Sequence, residues 1–197
     1  MAPPLYRFIL HITALSALLS SVFCSSASAT IVLPISLAQL TQRTDTIVSG
    51  VVTETRSYWN QGQIFTDVTI ETMEYLKHPD TTRPDQLVIT TLGGQIEDLR
   101  MDVDGVPQFA PDQEGVFFLK KKGETLTIFG LHYGLCRIYT DPATGTQKVG
   151  GTLYQARTNQ DISTMALSLN PLPPQGELLS SLFQRIRTHL ESQKESP

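Results

Sequence analysis

Apolar residues recur at two different periods along this chain, and the switches between those periods mark its elements. In "LPISLAQLTQRTD" (33–45), Ser36 stands where a helix N-cap belongs, Gln39 follows three residues on to complete a capping box, and Ile35 is placed to staple against Leu40. A short helix from Leu37 to Arg43 is predicted, with Leu37 and Leu40 on its buried face and Asp45 at its exit. The period then drops to two in "TIVSGVVTETRSYW" (46–59): Val48 and Val52 share one face with Gly50, while Ile47 and Val51 share the other. This predicts a bent strand, with Gly50 at a bulge or a close backbone approach.

The turn "NQG" (60–62) leads into "QIFTDVTIETMEYLK" (63–77), where Ile64, Val68 and Ile70 alternate with Phe65, Asp67 and Thr69 and the apolar parity then shifts to Met73 and Tyr75. One extra residue exchanges the two faces of a strand, so the shift predicts a bulge after Glu71. "HPDTTRPD" is loop by its prolines, "QLVITTL" is a third strand, and Gly93-Gly94 ends it. Three hairpins are predicted further on: around Asp104-Gly105, around Lys122-Gly123, and around Asp141–Gly145. After the proline-rich "NPLPPQG" (170–176), helical spacing resumes, and Leu178, Leu179, Leu182, Phe183, Ile186 and Leu190 form one apolar stripe. Such a stripe either docks on its own domain or meets a partner.

The first 29 residues change the picture of where the protein works. One early cation, Arg7, precedes an apolar run from Phe8 to Phe23 and the small-residue sequence Ala27-Ser28-Ala29, the pattern of a secretory signal cleaved after Ala29. The alternative, an uncleaved anchor, meets an apolar run broken by His11, Thr13 and several serines, short of the roughly 20 residues a span needs. Lipid attachment at Cys24 is rejected because bulky Phe23 precedes it. The predicted order is a signal peptide at 1–29, one β domain at 30–170, and a proline-rich linker with the C-terminal helix at 171–197. The expected localisation is secreted or periplasmic, with no membrane association after cleavage.

Charge and cysteine content then exclude whole classes of function. The chain has 15 Lys+Arg against 19 Asp+Glu, and the signal removes a cation and no acid, so the mature protein is mildly acidic and has no electrostatic footprint for nucleic acid. Lys120–Lys122 closes a strand and reads as a solvated edge. Of two cysteines only Cys136 survives processing, so no intramolecular disulfide forms and burial alone must hold the fold.

Candidate chemistry begins with "LHYGLCRIYT" (131–140), which sets His132 four residues before Cys136. The surrounding glycine, aromatic and β-branched residues place them on one or two strands. There four residues span about 13 Å, too far for a shared zinc or a Cys–His catalytic pair unless Gly134 folds the backbone back. Cys136 reads as a small core residue. His78, His132 and His189 are scattered and lack metal-ligand spacing. Glu97, Asp98, Asp102 and Asp104 invite a calcium reading, but an EF-hand aligned on Gly105 puts Arg100 at the first ligand position and Pro111 at the last. A looser calcium site stands against a solvated hairpin. No G-x-S-x-G elbow or nucleotide loop is present, and Trp59 beside Tyr58 is either an exposed recognition aromatic or a rim residue. The expectation is therefore no catalytic, cofactor or metal site. Trp59, Asp102, Asp104 and His132 are the candidate ligand contacts, and His132, Asp102 and Cys136 are the first to check for an enzyme.

The order helix, long bent strand, long strand ending "YLK", short strand, loop, "EGVFFL" and two more strands resembles the five-stranded oligonucleotide/oligosaccharide-binding barrel. More particularly, "TDTIVSGVV", "TIETMEYLK", "LVITT", "EGVFFL" and "LTIFGLHYGLC" resemble the strands of netrin-like domains, the family of the tissue inhibitors of metalloproteinases, and those of a group of secreted bacterial proteins. The resemblance covers about residues 45–140. It implies a mainly β fold: a five- to six-stranded antiparallel barrel with a short N-terminal helix and a C-terminal amphipathic helix. Those inhibitors chelate a protease zinc through an N-terminal cysteine held by disulfides, whereas the expected mature end here is "TIVLP". The functional expectation is a non-catalytic binding module for an extracellular or periplasmic protein, peptide or glycan, with an inhibitor or accessory module of an extracellular protease as the alternative. The sequence carries no signal for an oligomeric state.

Overall fold

A computed structural model of the chain describes residues 35–150 and 176–194. The capping box forms as its residues require: Gln39 N–H donates to Ser36 Oγ at 3.2 Å, and Ser36 N–H donates to Gln39 Oε1 at 3.0 Å. Helix α1 then runs Leu37–Arg43, with Leu37 and Leu40 buried. Its C-terminal carbonyls, which have no partner within the helix, are collected by two lysines, Lys120 Nζ donating to Arg43 O at 2.7 Å. Lys77 Nζ donates to Thr41 O at 2.8 Å and to Thr44 O at 2.6 Å. Burial pulls the Lys77 ammonium below its usual pKa, with Asp45 opposing.

Strand β1 (Thr46–Asn60) and β2 (Gln63–Lys77) form one long hairpin. Gln61 and Gly62 both have positive φ, 49° and 77°, the two-residue turn whose twist matches that of the strands it joins. The bulge expected after Glu71 is present. Ser49 faces Glu74 and Gly50 faces Thr72, which leaves Met73 unpaired, 61% exposed, and Tyr75 turned toward the inner core. A Cβ at Gly50 would lie 2.3 Å from the Glu71 carbonyl oxygen, so the two backbones cross here at a distance only glycine permits.

The remaining strands are β3 (Gln86–Leu92), β4 (Gly94–Ile96), β5 (Leu99–Met101), β6 (Glu114–Lys122), β7 (Thr125–Ile128), β8 (Leu135–Thr140), β9 (Gln147–Gly150) and the two-residue β10 (Glu177–Leu178), followed by helix α2 (Leu179–Lys194). The fold is mainly β with two helices. Eight strands join in one sheet in the order β1-β2-β3-β7-β6-β8-β9-β10, and β1 also pairs with β6, so the sheet partly closes into a ring. The ring's parallel contact is a single register pair, Ile89 with Leu126, and β1 joins β6 from Thr46 to Val51. The hairpins at Lys122-Gly123 and Asp141–Gly145 occur as expected.

Two elements depart from expectation. The hairpin in the 94–106 region is β4–β5, turning at Glu97-Asp98, where Glu97 has φ 52°, while Asp104-Gly105 is a turn with no returning strand. Pro107 and Pro111, which lack N–H donors, follow that turn. Leu178 lies on β10 opposite Lys148, 45% exposed, outside the apolar stripe of α2.

The sheet separates two hydrophobic clusters. An inner one, inside the ring, gathers Val48, Val52, Val68, Ile70, Leu87, Ile89, Phe117, Leu119 and Leu135. An outer one packs Ile47, Val116, Phe118, Cys136 and Val149 against α1 and against Leu182, Phe183 and Ile186 of α2. Because β6 is buried on both faces, its "GVFFL" reads as an unbroken apolar run. Arg187 of α2 also pairs with Glu74 of β2.

Candidate functional site

The strand register turns the inner face of β1–β2–β3 into successive rows. Val52, Ile70 and Leu87 form one row, just past the last β1–β6 pair, and Thr55, Val68 and Ile89 form the next, at the level of the β3–β7 contact. Beyond Val51 the strand β1 has parted from β6, and beyond Ile89 β3 has parted from β7. The same face continues past that point with Ser57, Thr66 and Thr91, and then with Trp59 opposite Ile64. Where the ring opens, the side chains change from aliphatic to hydroxyl.

The segment 93–109 folds over this open stretch and leaves a cleft of about 300 Å³ between it and the strands. Thr55, Ser57, Thr66 and Thr91 line the strand side. Gln95, Arg100, Asp102 and Gln108 supply the polar groups of the opposite wall, with Met101, Val103, Val106 and Phe109 between them. Two glycines allow the segment to approach. Gly93 and Gly94 have φ of 98° and 141°, and a Cβ at Gly94 would lie 2.1 Å from Thr66 Oγ1 and 2.6 Å from Ser57 Oγ.

The polar groups are ordered by their own bonds. Thr66 Oγ1 donates to Gly93 O at 2.7 Å, which uses its one proton, so in the 2.9 Å contact between the two hydroxyls Ser57 must donate. Across the cleft, Arg100 Nε bonds both oxygens of Asp102, at 3.0 and 2.9 Å, and Gln108 Nε2 donates to the same carboxylate at 2.9 Å. The Asp102 carboxylate holds the Arg100 guanidinium above its usual pKa. The wall is thus two planar amide- or guanidinium-type groups about one carboxylate, with its charges cancelled.

Of the residues expected to contact a ligand, Asp102 lines the cleft. Trp59 is 53% exposed on the same face, two residues beyond Ser57 and opposite Ile64, whose Cγ2 lies 3.3 Å from the Cβ position of cleft-lining Gly94. Asp104 and His132 lie near one another elsewhere: the His132 backbone N–H donates to Gly105 O at 2.8 Å, at the turn that carries Asp104. The hydroxyls at 55, 57, 66 and 91 carry no signal in the sequence. Their alternation with apolar neighbours reads as a solvated strand face until the register brings them together.

His132 is not on a strand. It occupies a 3-10 turn, Leu131–Gly134, because Gly130 adopts φ 75° and Gly134 packs so tightly that its Cβ would lie 2.2 Å from Phe129 O. His132 is half-buried, whereas Cys136 is fully buried in the outer cluster. Among the described residues no group of three His, Cys, Asp or Glu side chains is placed to hold a metal ion. Burial pushes the Cys136 thiol up to about 12, helped by the Glu177 carboxylate and opposed by Arg185.

This thiol is expected to resist an aromatic disulfide reagent at pH 8 in the native protein and to react fully after unfolding in guanidinium, measured on the chain cleaved after Ala29 or on Cys24→Ser. A folded-state pKa above the unfolded one means the native state holds more protons, so stability is expected to fall as pH rises from about 9 toward 12.

The amphipathic helix does not cover the cleft, since α2 packs on the outer cluster and none of its residues lines the opening. No described helix is long and apolar enough to cross a membrane. The expected signal segment, 1–29, lies outside the described residues. No protein-family model matches the chain, and no curated protein matches it in sequence.

Proposed function

We propose that this chain is an exported, non-catalytic binding module, secreted or periplasmic after cleavage at Ala29, that seats a protein, peptide or glycan in the cleft between β1–β2–β3 and the 93–109 segment. One observation carries the reading: a single sheet face passes from a dry interior to a row of hydroxyls where the strand ring opens. A ligand pocket needs that combination of a rigid apolar base and a few ordered polar groups. The pairing of β1 with both β2 and β6, and of β3 with β7, also supports reading the ring as the barrel of the oligonucleotide/oligosaccharide-binding type. Binding on an exposed face near the connecting loops suits that architecture.

The cleft's own groups do not assemble a reaction centre. Asp102, the one carboxylate of its lining, accepts from both Arg100 and Gln108, and the lining includes no histidine or lysine to activate Ser57 or Thr66. The test is a panel of oligosaccharides, extended peptides and co-exported proteins probed with the mature protein and with Thr55→Trp. The added indole suits a strand and fills the cleft from its floor. Ligands retained by the wild type and lost by a Thr55→Trp protein of normal melting temperature support the reading; an unchanged profile overturns it.

A further inference from the structure

Resting on that cleft being the binding site, we infer that it takes an uncharged oligosaccharide, with one sugar ring stacked on Trp59 and its neighbours hydrogen-bonded between the Ser57–Thr66 hydroxyls and the Arg100–Asp102–Gln108 wall. Charge is the first argument. The cleft lining holds one cation and one anion, Arg100 and Asp102, joined by two hydrogen bonds to one another. An anionic polymer would need unpaired cations there, and a cationic one a free carboxylate.

Backbone geometry is the second argument. A peptide added to a sheet pairs with an open strand edge. The floor of this cleft is the pleated face of β1, β2 and β3, with β2 paired on both sides, so a ligand lying on it meets side chains; the strand edges of β1 beyond Val51 and of β3 beyond Ile89 border the floor and do not form it. What this floor offers is side-chain hydroxyls.

Complementarity is the third. A sugar presents a rim of hydroxyls that both donate and accept, and faces of C–H groups that pack on aromatic rings. Ser57 donates to Thr66 and so keeps acceptor capacity toward the cleft, while Arg100 engages Asp102 through Nε, with its terminal nitrogens making no hydrogen bond among the described residues. Gln95 and Gln108 add amides, and the half-exposed indole of Trp59 stands at the end of the hydroxyl row.

Calorimetric titration of the mature protein with maltohexaose, cellohexaose and chitohexaose, against heparin and a mixed set of extended peptides, tests this. At least one of the three neutral sugars is expected to bind, with Trp59→Ala and Ser57→Ala each weakening it by about 10-fold or more and Trp59→Phe restoring much of the loss. Both positions are at the surface or part-exposed, and an unchanged melting temperature shows that the variants fold. No binding by any of the three, or binding indifferent to both substitutions, overturns the inference. Peptide binding abolished by Thr55→Trp overturns the sugar while leaving the cleft as the site. No probe of any class distinguishing Thr55→Trp from wild type overturns both.

Discussion

Phe117→Ala is expected to destabilise the protein by about 3–5 kcal/mol, the range for deleting a fully buried aromatic side chain, and to lower its melting temperature by roughly 6–20 °C. Phe117 has no exposed surface and fills the ring between Val48 of β1 and Leu135 of β8, its register partners on either side. No neighbour can close the void easily, because each of these strands is held in place on its other side as well. The effect should also reach the cleft. Phe109 stacks on Phe117 with ring centroids 6.4 Å apart, and that contact anchors the segment that forms the cleft's far wall. Thermal and urea unfolding measure the first effect. Ligand affinity in the residual native protein measures the second, and a loss below about 1 kcal/mol would mean that the ring is not filled as described.

Ile186→Asp is expected to have a comparable effect, at least about 3–5 kcal/mol, for a different reason. Ile186 is fully buried in the outer cluster, so the substitution removes apolar burial and leaves a carboxylate without water or counter-ion. The neighbouring guanidiniums are committed elsewhere, Arg185 to Glu177 at 2.7 Å and Arg187 to Glu74. Release of α2 would then uncover Cys136, which shares the cluster with Leu182, Phe183 and Ile186. A thiol that becomes reactive at pH 8 before global unfolding is the expected result. A thiol that stays silent in a protein of unchanged melting temperature would show that α2 contributes nothing to the core.

Much of this architecture is legible in the sequence because it is locally specified. The Ser36–Gln39 box starts α1 where a cap is needed, and the parity change in "TIETMEY" marks a bulge that the register places at Met73. The glycine-centred turns join the hairpins around 122–123 and 141–145. What is not legible either lacks a local signal or depends on neighbours distant in sequence. The Glu97-Asp98 turn lacks a glycine, and the stronger Asp104-Gly105 signal draws attention away from it. Leu178 fits the helical period but is captured by β9, and His132 is removed from its expected strand by close packing at Gly134.

Site residues divide in the same way. Asp102 and Trp59 stand out as an acidic loop residue and a lone indole, whereas Ser57, Thr66 and Thr91 look like ordinary solvated positions until three strands align them. Asp104 and His132 fall together at a neighbouring turn, because the Gly105 carbonyl is bound by the His132 N–H. Hydroxyl-lined sites have no spacing rule comparable to that of metal ligands, since the residues are gathered from several strands.

Whether the mouth of the curled sheet is the protein's binding surface can be read without knowing the ligand. An isotope-labelled sample of the mature protein, titrated by NMR with a library of small polar and aromatic fragments, reports where small molecules collect. Shifts should concentrate on the amides of Ser57, Thr66, Thr91, Gly94 and Asp102 and on the Trp59 indole. Shifts gathered instead along α2, or on the outward-facing row of Tyr58 and Phe65, would contradict the assignment.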